Sequence, residues 1–116
     1  MPVHMSDVEF EELVGDALDA IPTEFTDAMS NVVILIEPFN PESRGILGLY
    51  SGVALTERTH DYAGFLPDTI TIYREPILAM CHTRAQVVHE VAVTVIHEVG
   101  HHFGIDDEWL HAHGWG

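Results

Sequence analysis

A chain of 116 residues, nearly half of them hydrophobic, is long enough for one packed core and too short for a second domain of ordinary size. Its 19 acidic side chains against 4 basic ones give a formal charge of -15, which excludes nucleic acid or an anionic membrane held by a basic patch. The single cysteine, Cys81, excludes an internal disulfide; with no basic-then-apolar leader and no apolar run near the ~18 residues of a membrane span, a soluble, cytoplasmic protein is expected.

From the N-terminus, Ser6 to Ala20 places Val8, Phe10, Leu13, Val14, Ala17 and Leu18 at helical spacing, with Ser6 and Glu9 as a capping box and Pro22 as the stop. Asn31 to Glu37 (NVVILIE) is β-branched and almost wholly apolar, the pattern of an internal strand. Pro38 to Gly48 reads as loop, Leu49 to Thr56 as a short strand and Thr59 to Pro67 as turns. Asp68 to Arg74 (DTITIYR) alternates, with Ile70 and Ile72 on one face and Thr69, Thr71 and Tyr73 on a wet one. Pro76 closes that strand, and a short helical turn is expected around Ile77 to Cys81.

The longest element runs from about Arg84 to Phe103. Thr83 with Gln86 repeats the capping-box pattern, and Gly104 stands where a C-terminal glycine cap belongs. At about 100° per residue, Val88, Val91, Val95 and Val99 share one side, and Ala85, Ala92 and Ile96 widen the apolar surface. This should be the central helix, buried on most sides, with Glu108 to His113 adding a turn or two.

Within that helix, His97-Glu98-Val99-Gly100-His101 spells H-E-x-x-H. Residues four apart differ by about 40° in direction and one turn in height, so both imidazoles can reach one ion, and zinc accepts neutral histidine nitrogens. Glu98 is rotated about 100° from His97, out of the ion's first shell but near a water the metal would activate. The pentapeptide alone is a weak signal: His89-Glu90 begins the same pattern and fails at Val93. Gly104 and Asp107 extend the motif to H-E-x-x-H-x-x-G-x-x-D. A glycine in the left-handed conformation would double the chain back after the second histidine, so that Asp107 could supply a third ligand and leave the fourth position open.

The stretch from His97 to Asp107 resembles the motif of the Asp-zincins, metallopeptidases whose third metal ligand is aspartate. The longer strings TVIHEVGHHFGIDDEWLHAHGW and LPDTITIYREPI are similar to small bacterial zincin-like domains regarded as zinc metallopeptidases. The resemblance implies one α+β domain over residues 1–116, with a small mixed sheet packed on a central metal-binding helix. It also implies His97, His101 and Asp107 at the zinc-ligand positions, Glu98 at the catalytic one, and a peptide as substrate. The sequence departs from larger relatives in two ways. All four methionines (Met1, Met5, Met29, Met80) precede the motif, so no methionine turn is expected, and the nine residues after Asp107 are too few for a lower subdomain. Trp109 or Trp115 is a candidate for the missing hydrophobic floor.

The remaining candidates carry alternatives. Asp106 takes the place of Asp107 if the turn after Gly104 differs by one residue. His102, about 140° from His97, should face away from the ion as a packed or hydrogen-bonded side chain. His111 and His113 are either oxyanion donors or solvated tail residues. Glu90, two turns before the motif on nearly the same side, is either a supporting group or an ordinary glutamate. Gly100 suggests close approach of another backbone, and Cys81 reads as a small core residue rather than a thiolate capping the zinc. The strand from Asp68 to Arg74 is the candidate edge for main-chain pairing with an extended peptide. A zincin scaffold that keeps the metal without catalysis, acting as an interaction or regulatory module, is the alternative function; metal storage by the histidine-rich tail is a weaker one. A homodimer is possible through an exposed edge strand.

Overall fold

The computed structural model describes residues 2–29, 31–52, 67–102, 104 and 107–112, with the side chains of Ala28 and Asp107 outside the description. Helix α1 (Asp7–Ala20) forms as its sequence dictates. The Ser6 side chain accepts from the Glu9 amide, and Glu9 reaches back to the Ser6 amide, closing the capping box. Phe10, Leu13, Val14 and Ala17 are its buried stripe, while Val8, expected on that stripe, is 63% exposed in the first turn. After Ile21 and Pro22 comes a short helix, α2 (Thr23–Ala28), which has no periodic signal in the sequence; Phe25 anchors it in the core.

Strands β1 (Val32–Glu37), β2 (Gly48–Ser51) and β3 (Asp68–Tyr73) form one mixed sheet in the order β1-β3-β2. β3 is central, parallel to β1 with Ile34 opposite Ile70, and antiparallel to β2 with Tyr50 opposite Ile70. Two expectations are corrected here. Asn31 to Glu37 is not an internal strand: among the described residues β1 is an edge, with Val33 and Leu35 exposed at 42% and 43% on the outer face of the sheet. Asp68 to Arg74 is not an edge strand either, because β1 and β2 pair along both of its sides. An apolar run records how well a strand packs and does not say which neighbours flank it. Ile70 and Ile72 point inward and are fully buried, as the alternation requires. Tyr73, expected on the wet face, is buried because the loop after β1 folds over it and Asn40 Nδ2 donates to its hydroxyl at 3.0 Å.

Helix α3 (Arg74–Met80) follows β3 without a loop, earlier than the expected turn at Ile77 to Cys81. Pro76 sits in its first turn, where a missing amide costs nothing. Helix α4 (Arg84–His102) then runs about 28 Å beneath the sheet. Thr83 Oγ1 accepts from the Gln86 amide at 3.1 Å, whereas Gln86 reaches one residue further back than a capping box, to the His82 amide. α4 packs against α1 on one side and against β2 and β3 on the other, so it is central as expected. Val87, Val91, Ala92, Val95, Ile96 and Val99 fill the interior, and Ala85 is exposed at the helix start. Helix α5 (Asp107–Ala112) returns to the core through Leu110, which is fully buried. Among the described residues no helix is long and apolar enough to cross a membrane.

Candidate metal and peptide site

The last turns of α4 carry the motif, and the sheet fixes how it is presented. The Leu47 carbonyl accepts from the Tyr73 amide at 2.9 Å, so Gly48 and Tyr50, one and three residues on, occupy the alternate positions of an antiparallel ladder. Their amides and carbonyls point away from β3. Tyr50 uses that outward amide on α4: its N–H donates to Glu98 Oε1 at 2.8 Å. One oxygen of the Glu98 carboxylate is thereby held by the backbone of β2. A charge-assisted bond of this kind is about twice as strong as a neutral one.

The approach of strand to helix depends on Gly48. A Cβ there would lie 2.5 Å from the Thr94 methyl and 3.3 Å from the Thr71 carbonyl. Thr94 cannot easily turn away, because its hydroxyl donates to the Glu90 carbonyl at 2.8 Å. Beside this contact, Leu47, Gly48, Glu90, Val93, Thr94, His97 and Glu98 line a groove of about 340 Å³ between the start of β2 and α4.

His97 is half-buried and His101 exposed, with ring centroids 5.8 Å apart and planes at 88°. His102 turns away, as its position on the helix requires. It stacks on Tyr50 with centroids 4.0 Å apart, and its Nε2 lies 4.0 Å from Asp68 Oδ2. The Tyr50 hydroxyl donates to that same Asp68 oxygen at 2.7 Å. Tyr50 therefore ties the end of α4 to the sheet through its amide on Glu98 and its ring on His102, while its hydroxyl bonds β3. Sequence reading missed Tyr50, Asp68 and the Gly48–Thr94 contact; a glycine flanking a strand is the one local signal of close approach that pointed to the last.

Gly104 adopts φ +80°, the left-handed conformation expected after the second histidine, and its amide donates to the His101 carbonyl. Asp107 opens α5 directly after this bend, but its side chain, like Asp106, His113 and Trp115, lies outside the described residues. Trp109 meets Phe25 edge-on at 6.2 Å and is partly exposed, so its described ring contact is with α2. His111 is exposed on α5. Cys81 is a buried core residue whose thiol pKa is pushed up by burial and then by the Glu90 charge.

An α+β domain whose central helix presents two histidines one turn apart, with the intervening glutamate bonded to a strand amide, has the layout of a zincin-like domain. The chain belongs to the zincin-like metallopeptidase family, whose model matches residues 29–115. Its fold is similar to that of a conserved hypothetical protein from Thermo thermophilus, at 23% identity and a TM-score of 0.55, over 93% of this chain and 99% of the other. No curated protein matches the chain.

Members of such a family typically hold zinc, and the two histidines can be tested for it. A Zn–N distance of about 2.0–2.1 Å puts each ring centre about 3.2 Å from the ion, so two tetrahedrally placed rings have centres about 5 Å apart. The observed 5.8 Å is within a small side-chain rotation of that value. His97 and His101 thus fit as two nitrogen donors, and among the described residues no group of three or more His, Cys, Asp or Glu side chains suited to a metal occurs.

Proposed function

We propose that this domain is a zinc-dependent peptidase acting on an extended peptide laid along β2, with His97, His101 and Asp107 as metal ligands and Glu98 as general base. The observation that supports the reading is the bond from the Tyr50 amide to Glu98, which holds the carboxylate of the motif against β2, a strand that among the described residues pairs only with β3. Zinc, when bound, supplies a Lewis acid for the scissile carbonyl and lowers the pKa of a water. Glu98 keeps one oxygen on Tyr50, leaving the other to accept the proton of the attacking water and to hand it to the departing amine. The outward-facing backbone of Gly48 and the Tyr50 carbonyl offer main-chain partners to the substrate, giving grip independent of its sequence.

The test uses protein carrying one equivalent of zinc and a pool of peptides, with and without chelator. The parent should cleave in a chelator-sensitive way. Glu98→Gln should retain the metal and lose about 10²–10⁴-fold in rate. His101→Ala and Asp107→Ala should bind zinc more weakly by equilibrium dialysis. Cleavage by Glu98→Gln at the parental rate overturns the mechanism. Stoichiometric zinc without any cleavage favours the non-catalytic scaffold instead.

A further inference from the structure

Glu90 is the polar group at the far end of the groove, and the proposed mechanism gives it no task. It lies seven residues before His97, which is two turns with an offset of only about 20°, or about 10 Å along the helix axis. Between them Val93 and Leu47 supply apolar walls. Thr94 adds a methyl, since its hydroxyl is spent on the Glu90 carbonyl. The groove therefore has a short apolar stretch between two polar ends, His97 with Glu98 at one and Glu90 at the other.

Among the described residues nothing donates a hydrogen bond to that carboxylate, and the described cations are engaged elsewhere. Arg44 lies over the Phe39 ring, Arg74 pairs with Asp7 and Glu75, and Arg84 pairs with Glu9. A half-buried carboxylate without a partner is satisfied by water until something fills the groove. An apolar or acidic side chain would strip that water and leave the charge unpaired; a cation would replace it.

We infer that Glu90 selects peptides carrying arginine or lysine in the groove, next to the bond held at His97. Length as well as charge favours this choice. A side chain starting beside the histidine must cross most of that distance, and lysine and arginine extend about 6–7 Å from Cα, far enough to meet a glutamate reaching toward them. The inference rests on the peptidase reading, so the test separates the two.

Three blocked tetrapeptides, identical except for Arg, Leu or Glu at one internal position, are titrated by NMR into metal-free protein. The parent should bind the Arg peptide about tenfold more tightly than the Leu peptide, with shifts centred on the Val93 and Thr94 amides. Glu90→Gln should equalise the two, and Glu90→Lys should favour the Glu peptide. Equal binding of Arg and Leu peptides, shifts elsewhere, or a preference that survives Glu90→Gln overturns the inference. With zinc added, chelator-sensitive cleavage that ignores the groove residue removes the role of Glu90 and leaves the peptidase intact. Arg-selective binding that depends on Glu90, without any cleavage, supports the groove assignment and removes the peptidase.

Discussion

Gly48→Ala is the substitution that most directly tests how the strand is seated on the helix. The added methyl would meet Thr94 Cγ2 at 2.5 Å and the Thr71 carbonyl at 3.3 Å. The second contact is tight but tolerable; the first is not. Relief requires either that Thr94 give up its bond to the Glu90 carbonyl or that β2 lift away from α4. Overpacking of this kind costs about 1–3 kcal/mol. Against it stands the gain from replacing glycine in a strand, about 0.5–1 kcal/mol. The net expectation is a loss of about 1 kcal/mol, or roughly 4 °C in Tm for a domain of this size. If the strand lifts, the Tyr50 amide leaves Glu98, so its NMR shift should move and peptide cleavage should fall with it. Thr94→Ser removes the offending methyl while keeping the hydroxyl on the Glu90 carbonyl. In a double-mutant cycle read by urea denaturation, the pair should therefore recover about 1 kcal/mol relative to the sum of the single changes. Full stability of Gly48→Ala, or strictly additive single effects, would refute the close-approach argument.

The other expectations address the bend, the Tyr50 hub and two ionisable groups. Gly104→Ala meets no atom within 4 Å, so its cost is the backbone conformation at φ +80° alone, about 1–2 kcal/mol by thermal unfolding; zinc affinity should fall as well, because the bend leads into Asp107. Tyr50→Phe removes the hydroxyl on Asp68 and should cost about 1 kcal/mol, yet leave cleavage nearly unchanged since the amide on Glu98 belongs to the backbone; a collapse of activity at full stability would contradict that division. The hydrogen bond from Arg84, aided by Ser6, holds the Glu9 carboxyl below its ordinary 4.5. Its contribution to stability is then present above that value and lost as pH falls through the lower folded one, and Arg84→Ala should move Glu9 upward in a carbon-detected titration. Burial followed by the Glu90 charge raises the Cys81 thiol, so Cys81 should resist alkylation at neutral pH until the protein unfolds. The same shift makes the folded state lose stability as pH climbs past the ordinary thiol value. Rapid labelling of native protein would show that Cys81 is open to solvent.

What the sequence made legible was local. The caps at Ser6 and Thr83, the stop at Pro22, the span of α4 and the left-handed glycine at 104 each depend on residues within a few positions of one another. So does the helical spacing that brings His97 and His101 to the same side. The misreadings concern partners far apart in the chain. NVVILIE has the composition of a covered strand, yet its neighbour on one side is β3 and its outer face is open. DTITIYR shows the alternation of a strand with one wet face and nothing about whether its two edges are taken. α2 escaped because six residues bury little more than Phe25 and carry no measurable period. The role of Tyr50 was beyond reach for the same reason: its amide faces Glu98 only because of the register 50↔70, which no local pattern contains.

That register also explains how a small domain can hold a precise site. A carboxylate on one helix must keep its direction while water and substrate come and go, and a side chain alone has three torsions to lose. Bonding Glu98 to a main-chain amide borrows the stiffness of the sheet, where β3 is pinned between two strands and Ile70 and Ile72 are buried on the face that packs on α4. The Tyr50 ring and hydroxyl extend the same connection to His102 and Asp68, just beyond His101. The fixed direction of Glu98, the base of the proposed mechanism, therefore comes from a strand that touches the helix at Gly48 and again at Tyr50. The groove between these contacts and Glu90 is a consequence of that seating, so loosening it should disturb the direction of Glu98 and the shape of the groove together.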